Sequence, residues 1–311
     1  DDIYALLDDH IVMAQTMLAS PFIKYIKGPT SSFEKKLIYL QDVLDAFLMV
    51  QRTWMYLEPI FGSEDIMRQM PTEGRRFASV DGFWRRTLTE IFKNPRAIDI
   101  AENEKLLSQF NDANKRLDLI QKGLEQYLEV KRLKFARFFF LSNDELLEIL
   151  SQTKDPRAVQ PFLNKCFEGI AKIAFNGEET GREEDVIITK IKSSQGTFVT
   201  LDPTIDPNKG KNKGNVENWL LELQSSMRIS LKRECKTCIE TYPQMKRGDW
   251  CFAGYPSQCV LNISQLYWTK ECETLMDQKG LQGLKEFDVT QQAQISEIVQ
   301  IVRGNITKNQ R

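Results

Sequence analysis

Histidine is almost absent. His10 is the only one in 311 residues, so a Ser-His-Asp or Cys-His nucleophile system would have to be built on it. It sits in Leu7-Asp8-Asp9-His10, on what reads as an N-terminal helix, with no serine or cysteine nucleophile nearby in sequence. An ordinary helix-face histidine is the better reading. Cysteine is sparse as well: Cys166, Cys235, Cys238, Cys251, Cys259 and Cys272 are too few for a disulfide scaffold in a chain of this length, which points to a reducing compartment. Cys235 and Cys238 are spaced like half of a zinc knuckle, but they fall inside an amphipathic helix, and Cys251 and Cys259 have seven residues between them rather than two. Free thiols without metal are expected.

Charge of one sign is not in excess. The 42 Lys and Arg against 43 Asp and Glu leave a formal charge of −1, so no global field attracts nucleic acid or an anionic membrane. Long apolar runs are missing too. Phe138-Phe139-Phe140-Leu141 and Ala46 to Val50 fall far short of the roughly 20 residues a membrane-spanning helix needs, so no membrane partner is expected. A phosphate-cradling loop needs Gly, four residues, then Gly-Lys-Ser/Thr after a strand, and no such string occurs. The nearest imitation, Gly210-Lys211-Asn212-Lys213-Gly214, lacks the ending and reads as a solvated loop. Neighbouring acids such as Asp144-Glu145 and Glu183-Glu184-Asp185 read as solubilising, not as a buried acid-base pair. No catalysis and no cofactor are expected. The chain opens Asp1-Asp2-Ile3 without a Met, which suggests a piece of something longer.

What is present is helical periodicity. From Phe33 to about Glu58 the apolar residues Leu37, Leu40, Leu44, Phe47 and Trp54 step by three and four, and Pro59 and Gly62 are expected to end that helix. Pro71-Thr72-Glu73 opens a second, running to about Lys93 before Asn94-Pro95. Leu106 to Phe135 keeps the same stepping over about 30 residues, or roughly 45 Å at 1.5 Å per residue. Shorter helices are expected over Asn143–Ser151, capped by Ser142, and from Pro156 to about Phe175 behind Asp155. Further helices are expected over Val216–Thr241, from about Tyr255 to Met276, and from Thr290 to the end. No fixed-period repeat is visible.

Between these helices the period drops to two. Val186, Ile187, Ile188 and Ile191 face Phe198, Val199 and Leu201 across Ser194-Gln195-Gly196, a β-hairpin with Gly196 at the positive φ of its turn. Punctuated stretches flank it, Asn176 to Glu184 and Pro203 to Asn215, and both are candidate hinges. In the second, Pro203, Pro207, Gly210 and Gly214 are the hinge candidates. The expected architecture is mainly α, an elongated array of antiparallel helical bundles with one β-hairpin insertion. Its divisions are 1–178, helical bundles; 179–215, hairpin and hinge-like loops; and 216–311, a C-terminal helical subdomain.

The run Lys131-Arg132-Leu133-Lys134-Phe135-Ala136-Arg137-Phe138-Phe139-Phe140 interleaves cations with aromatics, as single-strand nucleic-acid platforms do. The simpler account prevails: cations complement a helix C-terminus, and the following apolar residues form a buried extended segment.

Five blocks, in order, carry a resemblance. They are Gln51 to Phe61 (QRTWMYLEPIF); Asp65-Ile66 with Met70-Pro71-Thr72-Glu73; Ile120 to Glu129 (IQKGLEQYLE); Arg137 to Leu150 (RFFFLSNDELLEIL); and Tyr255-Pro256-Ser257-Gln258 with Trp268 and Glu271. Together they resemble the linker region of dynein heavy chains from Leu7 to about Leu275, and Ser142-Asn143-Asp144-Glu145 with Lys154-Asp155-Pro156 is similar to the axonemal form. Ala136 departs from the proline usual there, and Phe162 from a frequent histidine; both lie in structural blocks. The resemblance implies a non-catalytic lever that bends and straightens across a ring of AAA+ modules of the same heavy chain. It also implies microtubules and dynein complex subunits as partners through the full-length protein, and a place in the cytoplasm and the axoneme of a cilium or flagellum.

An isolated hairpin is marginal in water, so both of its faces need covering. One face is expected on the helical body. The other, with Ile188, Lys190 and Phe198, is expected to meet the ring, since the family's bent linker touches projections of the ring modules in this region. A static spectrin-like scaffold or adaptor is the alternative.

Overall fold

The computed structural model describes residues 2–153, 155–176 and 186–306. Most of the expected 176–184 hinge lies outside the described residues. The fold is mainly α with a small antiparallel sheet, and the chain divides into two compact units, Asp1–Val130 and Lys131–Arg311.

The first unit contains α1 (Asp2–Ala19), α2 (Lys27–Phe61), α3 (Glu64–Gln69), α4 (Pro71–Lys93), α5 (Ala97–Ala101) and most of α6 (Leu106–Lys134). α1 lays Leu7, Ile11 and Ala14 against Leu37, Leu40 and Leu44 of α2, the residues whose spacing announces the stripe. His10 is exposed on α1, as its acidic flanks suggest. Further along, aromatic rings fill the core. Phe47 lies 4.9 Å from Trp84 and 5.7 Å from Phe110, and both of those residues are fully buried. Trp54 Nε1 donates to Asp81 Oδ1 at 2.9 Å, and Arg85 lies over the Trp54 ring while donating to Asp81 and Glu58. α2 begins earlier than its apolar stripe suggests and carries Pro59 in its last turn. There the ring costs one backbone donor, and the helix ends within two residues. Pro71 opens α4 as N1, where a missing N–H costs nothing.

The second unit takes up α7 (Asn143–Ser151), α8 (Leu163–Cys166), β1 (Lys172–Phe175), β2 (Ile188–Lys192) and β3 (Phe198–Ile205). α9 (Val216–Thr241), α10 (Arg247–Cys251) and α11 (Ser257–Arg303) complete it. Ser142 and Glu145 form a reciprocal capping box at the start of α7, with Glu145 N to Ser142 Oγ at 3.2 Å and Ser142 N to Glu145 Oε2 at 3.0 Å. Asp155 caps a 3-10 turn over Pro156–Phe162 by accepting from Arg157 N.

Four expectations need correction. The helix expected to run to Phe175 gives way after Cys166, and Lys172–Phe175 becomes a strand, so the hairpin is a three-stranded sheet in the order β1-β2-β3. The segment after α6 is a 3-10 turn, Ala136–Phe140, rather than extended chain: Phe138 is buried, while Phe139 and Phe140 face solvent. Pro203 lies inside β3, not in a loop. Helix also covers the gap expected between Met276 and Thr290, because the reversal needs only Gly280, at φ 57° and ψ −144°, to break α11 into two arms. The second arm doubles back. A Cβ built at Gly283 would lie 2.6 Å from Leu275 O, and Ile301 Cδ1 sits over the bare Cα of Gly248.

The cationic run after Val130 is spent on this unit. Lys131 and Lys134 pair with Glu217, Arg132 donates to Leu141 O at 3.0 Å, and Arg137 donates to Cys166 O at 2.9 Å while lying over the Phe167 ring. Phe135 and Phe138 pack edge to face and are both fully buried, while Phe139 and Phe140 remain exposed.

Candidate contact face and hinge segment

The turn that closes β2 onto β3 is tight: Ser193 N donates to Thr197 O at 2.8 Å, and Gly196 takes φ 92° as its position requires. Ile173, Ile191, Val199 and Leu201 point to one side and are buried, where β3 packs along α9. Lys192 pairs with Phe198, and Lys190 with Thr200, on the other side.

Simple alternation places Ile188 with Lys190 and Phe198 on that outer side. The structure puts it elsewhere. The register shifts between Ile188 and Lys190, and again between Ala174 and Phe175, so a bulge turns Ile188 inward, where it is fully buried and paired with Phe175 and Ile205. Of the three expected contact residues, two therefore stay outside. Phe198 is 60% exposed, and Lys190 Nζ lies 5.7 Å from its ring centroid, a cation–π arrangement.

Two clefts meet at the hairpin tip. One, of about 520 Å³, is lined by Arg137, Ile191, Lys192, Met227, Arg228 and Leu231. The other, of about 590 Å³, sets Phe198 beside Phe252, Tyr255, Val260 and Leu261. Lys192 escaped sequence reasoning, although its place two residues beyond Lys190 could have found it. Arg228 could not be found that way, because its position depends on how β3 docks on α9.

The 203–215 segment is well tied to α9. Asp202 N donates to Ser230 Oγ at 2.9 Å, Ser226 Oγ donates to Pro203 O at 2.5 Å, and Arg233 reaches both Asp202 and Thr200 O. Pro207 opens the turn that follows β3. Buried Asn212 then donates to Asp206 O at 3.1 Å and to Glu222 Oε2 at 2.7 Å, while Lys211 pairs with Glu222 at 3.2 Å. Gly210 and Gly214 flank this anchor with φ of 57° and 73°.

Among the described residues, no group of three or more His, Cys, Asp or Glu side chains could hold a metal ion, and no helix is long and apolar enough to cross a membrane.

A family model described as Dynein heavy chain, N-terminal region 2, matches residues 1–238. Dynein axonemal heavy chain 3 of Homo sapiens is 45% identical over 312 residues, covering 100% of this chain and 7% of the relative. Dynein axonemal heavy chain 12 of Homo sapiens is 44% identical over 311 residues, covering 100% of this chain and 10% of the relative. Dynein axonemal heavy chain 1 of Rattus norvegicus is 43% identical over 311 residues, again the whole of this chain and 7% of the relative. The chain thus spans a tenth or less of the curated relatives it matches.

Proposed function

This chain belongs to the dynein heavy chain family, within its N-terminal region 2, and on that premise we propose that it is the mechanical linker of an axonemal dynein motor. The linker bends and straightens across the AAA+ ring of the same heavy chain and so delivers the power stroke for movement along microtubules. Microtubules and the other dynein subunits are met through the full-length protein, in the cytoplasm and the axoneme of a cilium or flagellum. Neither nucleic acid nor membrane is a partner, and ATP is bound and hydrolysed outside this chain.

The observation that carries this reading is the outward Lys190–Phe198 pair. The Phe198 ring, 60% exposed on the outer face of the sheet, is apolar surface that a partner can cover. We assign that partner to the ring modules in at least one state of the motor. Ile188 has no part in the contact, because it holds the sheet to its own core.

Bending is assigned to the 179–215 division, which separates 1–178 from 216–311. Within it Gly210 and Gly214 are the compliant points on either side of the Asn212 anchor, and Pro203 and Pro207 set the stiff entry to them.

Gliding assays test the contact. In a full-length motor, Lys190→Ala with Phe198→Ala is expected to slow microtubule gliding while the melting temperature of the isolated segment stays within about 2 °C of wild type. Wild-type gliding speed would sink the contact role. Calorimetry tests the rest: the isolated segment is expected to give no heat with ATP, and micromolar affinity would refute the assignment. A static scaffold is the competing reading, and hydrogen exchange as slow over 206–215 as in α6 would favour it.

A further inference from the structure

α9 and α11 meet over a small apolar cluster, in which Cys238, Tyr242, Trp250, Cys259 and Ile263 are buried, with Leu231, Cys235, Tyr255 and Val260 packed around them. Two of its thiols face each other from different helices. Cys235 Sγ, on α9, donates to Cys259 Sγ, in the first turn of α11, at 3.4 Å. Rotation of the two side chains must bring that separation down to about 2.05 Å for a covalent bond, a movement of little more than 1 Å.

We propose that Cys235 and Cys259 form a reversible disulfide, driven by a low-molecular-weight disulfide such as oxidised glutathione, which staples α9 to α11. Burial sets the order of events. Cys235 is partly exposed and meets the oxidant, whereas Cys259, 1% exposed, is reached only through Cys235. The Cys235 thiolate attacks one sulfur of the small disulfide, whose S–S bond breaks and releases one thiol. Cys259 then gives its proton to solvent and its sulfur attacks Sγ of Cys235, forming the protein disulfide and expelling the second thiol. Two protein thiols are oxidised and one small disulfide is reduced to two thiols, which carry the two protons.

Burial first, and then the hydrogen bond with Cys235, push the Cys259 thiol up to about 12. The second step is therefore the slow one, and it quickens with rising pH as more Cys259 becomes thiolate. Competing links are less well prepared. Among the described residues Cys235 has no hydrogen bond to Cys238 or Cys251, whereas its thiol donates to Cys259 from the facing helix.

The test is incubation of the folded chain with oxidised glutathione, alkylation of remaining thiols and non-reducing tryptic digestion. Cys235 falls in Glu234–Lys236, and Cys259 falls in Gly248–Lys270 together with Cys251, so Cys251→Ser is run beside wild type. A linked pair of these two peptides, two hydrogens lighter than their sum, is expected in both proteins. Cys259→Ser should instead leave Cys235 as a glutathione adduct. The oxidised chain should melt roughly 5 to 10 °C above the reduced one, because the bridge closes a loop of about 24 residues, and the gain should vanish on reduction. A glutathione adduct on Cys235 that never resolves in wild type would overturn the proposal. So would a link to Cys238 or Cys251 instead, or a link that forms equally fast in urea.

Discussion

Lys131 Nζ donates to Glu217 Oε1 at 2.8 Å, and only 1% of the Glu217 side chain meets solvent. Lys134 reaches the same oxygen at 3.1 Å. The buried carboxylate and the Lys131 ammonium come from α9 and α6, 86 residues apart in sequence. Replacing Glu217 removes the buried carboxylate oxygen that both lysines share. Glu217→Gln is expected to destabilise the second unit by about 3–5 kcal/mol in urea unfolding, whereas Glu217→Met with Lys131→Met should recover most of that loss.

The same pair fixes a pH dependence. Burial pushes the Glu217 carboxyl up, and the hydrogen bond and charge of Lys131, with a backbone hydrogen bond and the hydrogen bond from Lys134, more than reverse this, holding it below the usual carboxylate range. A carboxyl lowered by folding contributes stability in full above its unfolded value of about 4.3, and loses it as pH falls through the folded value. Wild type should therefore lose stability below about pH 4.3 more steeply than Glu217→Gln, as measured by unfolding free energy across that range.

Ile188 and Phe198 were equivalent by alternation and are opposites in the fold. Ile188→Ala should cost about 2–4 kcal/mol, the toll of a cavity in a packed core, while Phe198→Ala should stay within about 0.5 kcal/mol of wild type. Denaturant midpoints of the two variants check this directly; equal losses would place Phe198 in the core.

How far the sequence carried the reading follows from the range of each interaction. α4 begins at Pro71 and ends at Lys93 as expected, because proline at N1 and the Asn94-Pro95 stop act within one turn. The Ser142 cap was legible for the same reason. β1 was not: Ile170 and Ile173 fit a helical step, and Lys172–Phe175 becomes a strand only because Lys192 to Ile188 pairs with it. The bulge that turns Ile188 inward depends on the combined registers of three strands, and the Glu217 pair on how α9 packs. Lys190 and Phe198, set by a two-period pattern around a local turn, stood outside as alternation had them.

Gly280 holds φ 57° and ψ −144°, a region that side chains with a Cβ avoid. Gly280→Ala should cost roughly 1–3 kcal/mol with little change in helical content, as read by thermal unfolding followed by circular dichroism. Gly283→Ala should also destabilise, since the new methyl meets a backbone oxygen, Leu275 O, that cannot swing aside.

Ser142→Ala removes one half of the capping box and leaves Glu145 N without its acceptor. A loss of about 1 kcal/mol is expected from chemical denaturation, with Ser142→Asp close to wild type.

The returning arm of α11 alters which amides are slow. A straight helix of 47 residues would fray from its far end, with the amides of its last turns exchanging readily with solvent. Folded back at Gly280, those last turns instead rest on α10, with Ile301 over Gly248 and Gln294 accepting from Arg247 at 3.4 Å. Deuterium uptake near Ile301 should therefore follow the opening of the contact with α10, and uptake is expected to start at the elbow around Gly280, central in the sequence of α11.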